Sequence, residues 1–175
     1  YKPEMILAGR RLNDNMANVV VDQVLSLMHK KQIIISGSNI LIMGFTFKEN
    51  CPDLRNTKVI DLINGFKKRS CNVDVYDRWA DKEQSVQEFG IIPIIEPIKN
   101  KYDAIVIAVA HNDFVSLTAE QRNAFGKDKH VIYDIKYLFK SDQTDGRLWG
   151  KKFLIYEKKS LRIILINFFS SSKCN

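Results

Sequence analysis

The 175-residue sequence has few of the residues that mark secreted or membrane-spanning proteins. Its three cysteines are scattered and form neither a C-x-x-C pair nor a disulfide framework, which favours a reducing cytoplasm. The longest apolar run, residues 163–166 with two phenylalanines close behind, is too short to span a bilayer. No signal peptide opens the chain, which starts on Tyr1 and is therefore expected to be a fragment.

The sequence also lacks a broadly distributed basic surface, although its formal charge is +7. Residues 151–175 hold six basic residues and one acidic residue, so that this tail carries +5 and the first 150 residues carry +2. A nearly neutral body does not provide the basic face that nucleic-acid binding requires. Nucleic acid is therefore not an expected partner.

The chain is organised around residues 39–57, where an apolar run leads into a loop with two cations. The run is continuously apolar, as expected for a parallel strand covered on both faces, and Gly44 ends it. The loop of residues 45–55 carries Lys48 and Arg55. Ligands bind outside the carboxyl ends of strands in open α/β sheets, so these cations form a candidate anion site. The alternative is that they are only solvated loop charges.

Apolar periodicity along the chain predicts alternating strands and helices. With right-handed crossovers these form an α/β fold, a Rossmann-like doubly wound parallel sheet of about five strands, preceded by a long helix. The helices cover both faces and make three layers. The predicted elements are a long helix over 4–31, strands at 40–43, 72–77, 91–95, 104–109 and 131–136, and helices at about 57–69, 82–89 and 118–125, the first of these capped by Asn56 or Thr57.

Two further residues stand where chemistry could occur. Asp77 ends the second strand, the place where a nicotinamide-binding Rossmann unit holds a ribose hydroxyl. No G-x-G-x-x-G follows the first strand, so Asp77 is interpreted as a structural cap or turn residue. His111 follows a later strand and could act as a base, but a lone histidine in a turn is more often a hydrogen-bonded loop residue. No metal site is expected.

Three segments carry a resemblance to a known family. Residues 44–58, Gly-Phe-Thr-Phe-Lys-Glu-Asn-Cys-Pro-Asp-Leu-Arg-Asn-Thr-Lys, resemble the opening of the C-terminal domain of the UDP-glucose/GDP-mannose dehydrogenase family. Gly-Arg-Arg-Leu-Asn-Asp-Asn-Met at 9–16 is similar to the helix that joins the two domains of this family, and 110–114 resemble its Ala-His-x-x-Phe turn. The most similar branch is bacterial and oxidises UDP-N-acetylhexosamines for capsule and O-antigen synthesis.

The resemblance implies a division into three regions and a reaction. Residues 1–36 are implied to be a linker and homodimerisation helix, and 37–148 a UDP-binding Rossmann-like domain, followed by an atypical basic tail at 149–175. The apolar stripe of this helix is expected to pair two copies, so aspartate at both Met16 and Val20 is expected to separate them while the sheet stays folded; the alternative is that the stripe packs on the sheet domain. The members of the stripe are Leu12, Met16, Val19, Val20, Val24 and Leu27. The family oxidises C6 of a UDP-sugar to the acid with NAD, which its N-terminal domain binds. Its cysteine nucleophile lies in a Gly-Gly-x-Cys-Phe segment that this sequence lacks. The chain alone is therefore expected to be inactive and to contain no catalytic residue.

The resemblance also implies roles for four residues. Phe47, Lys48 and Lys136 match positions that contact the UDP-sugar, and Arg55 matches an arginine that reaches the pyrophosphate of NAD. These residue types suit a diphosphate, which requires fixed cations, although lysine at position 136 offers a point charge where many members have arginine. A different class of function is a non-catalytic interaction module that pairs through its long helix. Such a module would show no UDP-dependent rise in melting temperature.

Overall fold

The computed structural model describes residues 4–148, with side chains described from residue 15 onward. Five parallel strands form one sheet, and helices cover both of its faces, which confirms the predicted fold class. The elements in chain order are α1 (Glu4–Lys30), β1 (Asn39–Met43), α2 (Val59–Lys67), β2 (Asn72–Tyr76), α3 (Lys82–Phe89), β3 (Tyr102–Ile107), α4 (Asn112–Val115), α5 (Ala119–Asn123), β4 (Gly126–Asp134) and β5 (Gly146–Arg147), and the strand order is β2-β1-β3-β4-β5.

The central strand β1 is buried on both faces. Ile40 and Ile42 lie in the core cluster shared with α1 and α2, whereas Leu41 and Met43 lie in a second cluster with Phe114 of α4. Alternating side chains of a strand point to opposite faces, so the two clusters lie on the two sides of the sheet. This double burial explains why the apolar run of β1 is continuous rather than alternating.

The second half of α1 belongs to the core of the sheet domain. Val20 and Val24 are buried there against α2. The two helices approach closely at Gly65, where an added Cβ would lie 2.9 Å from a methyl carbon of Val21. Val19, in contrast, is only half-buried. Part of the apolar stripe from which pairing was predicted is therefore used within the domain.

The helix after the cation-bearing loop begins later than predicted. Its N-cap is Lys58, whose side chain makes no capping bond, so the expected cap at Asn56 or Thr57 is wrong. The Thr57 hydroxyl donates to the carbonyl of Phe45 at 2.7 Å and accepts from the Val59 N–H at 3.3 Å. Thr57 therefore joins the loop to the helix from the position before the cap.

The strand predicted at residues 91–95 is also wrong. Only Ile94 pairs there, in a single bridge to Tyr76, because Pro93 supplies no N–H for a ladder. The fifth strand is β5, in a segment where no strand was predicted, with Gly146 opposite Tyr133 of β4. The helix predicted at 82–89 is confirmed by α3, which Gly90 ends.

No helix within residues 4–148 is long and apolar enough to cross a membrane. The predicted basic tail at 149–175 lies outside the described residues, and the side chain of Leu12, a member of the stripe on α1, lies outside the described side chains.

Candidate functional site

Strands β1 to β4 run in parallel, so the loops that follow them meet at one edge of the sheet. Gly44 fixes how closely two of these loops approach. It has φ +97°, and an added Cβ would lie 2.8 Å from the backbone nitrogen of Val109. Only glycine fits this contact, because both the space and the left-handed backbone exclude a side chain. The cation-bearing loop therefore starts in direct contact with the segment after β3.

Asp77 anchors the start of the cation-bearing loop. Its Oδ2 accepts hydrogen bonds from the N–H groups of Phe45 at 2.6 Å and Thr46 at 2.9 Å, and its Oδ1 accepts from the Trp79 N–H at 2.8 Å. Burial alone would raise the pKa of Asp77, but the hydrogen bonds from His111 and the loop backbone outweigh it and hold that pKa below its usual range. The interpretation of Asp77 as a structural turn residue is confirmed.

His111 is fully buried and joins three loops. Its Nδ1 accepts from the N–H of Asn50 at 2.9 Å, which places the ring proton on Nε2. Nε2 lies 3.1 Å from Oδ2 of Asp77 and 3.1 Å from the hydroxyl of Thr46. The indole of Trp79 stacks on the imidazole, with 6.3 Å between ring centroids. The interpretation of His111 as a hydrogen-bonded loop residue is confirmed.

Two of the predicted binding residues stand next to each other in the closed part of this loop. The N–H of Phe47 donates to the carbonyl of Asp53 at 2.7 Å and closes the segment into a compact turn. The Phe47 ring is 39% exposed, and the ammonium of Lys48 lies 5.8 Å from its centroid. An accessible aromatic ring and a cation therefore project from the same closed segment.

Lys136 follows β4 at the same edge. Its side chain is half-buried, and desolvation lowers the pKa of Lys136 to about 8, while the carboxylate of Glu49 acts in the opposite direction. Glu49 is the neighbour of Lys48 in the chain, so this electrostatic interaction connects Lys136 to the cation-bearing loop. The structure thus brings Phe47, Lys48 and Lys136 to one region, as the sequence predicts.

Arg55 lies at the end of the same loop and is paired with a carboxylate. Its side chain is 76% exposed, and its guanidinium holds both carboxylate oxygens of Asp53, with Nε–Oδ1 at 3.0 Å and Nη2–Oδ2 at 3.1 Å. The hydrogen bonds from Arg55 hold the pKa of Asp53 below its usual range. The pair orients Arg55 at the end of the loop that leads into α2.

Comparison with known proteins identifies the domain. The model of the UDP-glucose/GDP-mannose dehydrogenase family, UDP binding domain, matches residues 41–141, more than half of the chain. The chain belongs to this family. It is 53% identical over 148 residues to "UDP-N-acetyl-D-glucosamine 6-dehydrogenase" of Salmonella typhi and 40% identical over 151 residues to "Protein CapL" of Staphylococcus aureus. Each of these matches covers 85% of this chain and 35% of the relative, so the chain spans about a third of the curated relatives it matches.

Solved structures of the family have the same fold. The UDP-D-ManNAc dehydrogenase of Pyrococcus horikoshii superposes with a TM-score of 0.65 at 23% identity, over 79% of this chain and 31% of that protein. A Staphylococcus aureus structure of the UDP-N-acetyl-mannosamine dehydrogenase Cap5O gives 0.65 at 20% identity, over 83% and 33% respectively. At these identities the likeness establishes the fold alone.

One turn at this edge of the sheet has a residue other than glycine in the left-handed region. Tyr137 adopts φ +59°, the left-handed region that glycine occupies without strain. The turn is held by Asp134, whose buried carboxylate accepts from the N–H groups of Lys136 at 3.0 Å and Phe139 at 2.9 Å. The contact between Tyr137 and the guanidinium of Arg147, 5.4 Å from the ring centroid, accompanies this conformation.

Sequence reasoning did not identify Asn50 as part of the site. Asn50 has φ +54°, and its side-chain oxygen accepts from the N–H of Asn112 at 3.0 Å. The available signal was weak, because asparagine tolerates the left-handed region at many loop positions. Its partners lie more than sixty residues away, so the chain alone did not show that this asparagine joins two loops.

Two cavities differ in their position relative to this region. One of about 40 Å³ lies beneath Phe47, with a mainly apolar lining that includes Val59, Val109 and Ile135. A groove of about 640 Å³ lies beside Lys31 at the other end of β4 and contains none of the predicted site residues. Within the described residues, no group of three or more His, Cys, Asp or Glu side chains is placed to hold a metal.

Proposed function

We propose that this chain is the UDP-sugar-binding portion of an NAD-dependent UDP-sugar 6-dehydrogenase, acting in the cytoplasm in the synthesis of capsule or O-antigen polysaccharide. The observation that carries the proposal is the closed loop bearing Phe47 and Lys48 beside the half-buried Lys136. The substrate class is a UDP-N-acetylhexosamine or UDP-glucose, which the whole enzyme oxidises to the uronate.

The two lysines supply what a diphosphate needs. Lys48 and Lys136 offer ammonium donors to phosphate oxygens, and charge-assisted hydrogen bonds of this kind are among the stronger ones in proteins. The half-buried side chain of Lys136 is only partly hydrated, which lowers its pKa, so a bound anion would favour its charged form. The exposed ring of Phe47 would cover the bound nucleotide on one side and exclude water there.

The residues of this chain do not fit a complete NAD site. In a Rossmann unit the dinucleotide phosphates occupy the turn after the first strand, but here Val109 fills the space beside Gly44. The hydroxyl of Thr57 already occupies the first N–H of α2. Arg55 is the one predicted contact to the pyrophosphate. The rest of the NAD site is proposed to lie in the portion of the relatives that this chain does not cover.

Catalysis is likewise not expected from the part of the enzyme that this chain covers. Two relatives are named UDP-N-acetyl-D-glucosamine 6-dehydrogenase and UDP-N-acetyl-D-mannosamine dehydrogenase, and this chain spans 35% of the first and 32% of the second. Its sequence contains no Gly-Gly-x-Cys-Phe segment to supply the nucleophile. The chain is therefore proposed to bind the UDP part of the substrate and to have no dehydrogenase activity by itself.

A second copy of the chain is the proposed protein partner. The first half of α1 precedes the part of the helix that packs on α2. Val19 is an apolar residue whose side chain is only half-buried. An isologous contact between two copies of α1 would bury such residues against each other.

Titration calorimetry on the 175-residue chain tests the binding proposal. UDP and UDP-N-acetylglucosamine should bind, whereas NAD should bind much more weakly. Lys48→Ala should weaken UDP binding by about 1–3 kcal/mol, because one charge-assisted contact is lost. Lys140→Ala, which removes an exposed cation from the segment after Lys136, is the matched control and should leave the affinity unchanged.

Two results would contradict the proposal. Binding of NAD without binding of UDP would exclude the assignment of the site to the substrate. A chain whose melting temperature does not rise with UDP would instead favour the interaction module, because any ligand of the native state must stabilise it.

A further inference from the structure

We propose that His111 is a positioning residue for the UDP site, acting through the segment of residues 46–50. The proposal rests on the function proposed above. His111 itself is completely buried, so it cannot touch a nucleotide bound at the surface of this edge. Its effect on binding would pass through the loop that carries Phe47 and Lys48.

One nitrogen of the ring holds the loop after Lys48. Asn50 has a left-handed backbone, which an asparagine adopts at some energetic cost unless neighbouring contacts support it. Two contacts do so here: the N–H of Asn50 donates to Nδ1 of His111 at 2.9 Å, and its Oδ1 accepts from Asn112. Both partners belong to the turn after β3, so this turn sets the backbone conformation at Asn50.

The other nitrogen holds the loop before Phe47. Nε2 of His111 lies 3.1 Å from the Thr46 hydroxyl, and that hydroxyl donates to the carbonyl of Lys48 at 3.0 Å. The same nitrogen lies 3.1 Å from the Asp77 carboxylate, which binds the backbone of Thr46. A single imidazole therefore fixes Thr46 and Asn50, which lie on either side of residues 47–49.

The ring is rigidly held, so it can act as a reference point for the loop. Trp79 stacks on one face with an interplanar angle of 12°, and Phe114 contacts the ring edge-on with 5.2 Å between centroids. The site is closed to water, and a buried polar group that loses its partner there has no replacement. Loss of Nδ1 should therefore release Asn50, whereas after loss of Nε2 the backbone N–H of Thr46 is still held by the carboxylate of Asp77.

Two substitutions test the roles of the two ring nitrogens of His111 separately. In His111→Asn the amide oxygen takes the place of Nδ1 and still accepts from Asn50, whereas in His111→Gln the amide nitrogen takes the place of Nε2 and faces Asp77. The measurements are UDP affinity by calorimetry, hydrogen exchange at the Asn50 amide, and melting temperature. His29→Asn, at an exposed position near the end of α1, is the control.

Both variants should melt at lower temperatures than the wild type, because each loses one buried hydrogen bond. The UDP dissociation constant should rise roughly tenfold or more in His111→Gln, as expected for a lost buried hydrogen bond, but by less than about threefold in His111→Asn. The Asn50 amide should exchange rapidly in His111→Gln and remain protected in His111→Asn. A role confined to folding would not separate affinity from melting temperature in this way.

The possible failures are distinguishable. If the wild-type chain binds UDP and the two folded variants bind it equally well, or lose affinity in proportion to their melting temperatures, the positioning role is refuted and the proposed function stands. Continued protection of the Asn50 amide in His111→Gln would also refute it. If the wild-type chain binds no UDP, the proposed function fails and the positioning role for that ligand fails with it.

Discussion

Replacing Lys136 by methionine tests whether the charge of this lysine lowers the stability of the folded chain. Methionine keeps the length of the side chain and removes the charge. The pKa of Lys136 falls from 10.5 to about 8 on folding, chiefly through desolvation. One pKa unit corresponds to about 1.4 kcal/mol, so the charged form is disfavoured by up to about 3 kcal/mol in the folded protein. Because the side chain retains some exposure, Lys136→Met should stabilise the chain by about 1–3 kcal/mol at pH 7.

The pH dependence of stability tests independently whether the charge of Lys136 destabilises the folded chain. Below pH 8 Lys136 is charged in both the folded and the unfolded chain, and the whole penalty is present. Between about pH 8 and 10.5 the folded state loses this proton first while the unfolded chain still binds it. The stability of the wild type should therefore rise through this window, and the advantage of Lys136→Met should disappear by its upper end.

Urea denaturation at pH 7 and at pH 10, followed by tryptophan fluorescence, measures this difference. UDP titrations of the same samples should show that Lys136→Met binds more weakly, and that wild-type affinity falls as the pH rises through about 8. Lys140→Met is the control, because its side chain is exposed in the same segment and its removal should change neither quantity. If Lys136→Met were less stable than the wild type at pH 7, the inference that burial penalises this charge would be wrong.

Three further changes have defined outcomes. Gly44→Ala should destabilise the chain by about 2–5 kcal/mol in urea denaturation, because the added carbon meets Val109 and the backbone is left-handed. Asp77→Asn should cost about 2–4 kcal/mol at pH 7, since an amide cannot accept all the N–H groups around it. Because the pKa of Asp77 is lowered in the folded state, this advantage of the wild type should be complete above about pH 4 and should be lost as the pH falls through the lowered pKa. Val19→Asp should shift sedimentation of the chain toward the monomer with little loss of melting temperature, and an unchanged dimer would exclude pairing through this face.

The parts of the fold that depend on local sequence were predictable. The helix predicted at 82–89 is observed as α3, with the left-handed Gly90 at its end and Asp81 as its N-cap. The burial of β1 followed from its continuous apolar run. In these cases the residues that decide the structure lie within a few positions of one another, so that their pattern is visible in the chain.

The parts that depend on distant contacts were not predictable in the same way. The late start of α2 follows from the hydrogen bond that turns the Thr57 hydroxyl toward Phe45, twelve residues earlier. The pairing of Gly146 with β4 depends on the edge that β4 offers, which no local pattern reveals. For Lys136, similarity to the family identified the position, but the degree of burial that lowers its pKa required the packed structure.

The burial of Val20 changes which substitution can test the pairing of two copies through α1. Both Met16 and Val20 belong to the apolar stripe on α1, and aspartate at these positions was expected to separate two copies while the sheet stayed folded. Val20 is 2% exposed in the core, so aspartate there would unfold the domain instead. Met16 also packs against that core, which leaves Val19 as the more informative position.

The packing of α1 on α2 has a consequence for shortening the chain. A cut after residue 36, at the expected boundary of the UDP-binding domain, would remove α1. The α1 side chains that share a core cluster with Ile63 and Phe66 of α2 would then be lost. The remaining piece would expose this apolar surface to water and aggregate, although it would keep every strand. A protease acting on the native chain should accordingly spare the second half of α1, and the smallest stable piece should begin before Val20, where the helix first enters the core.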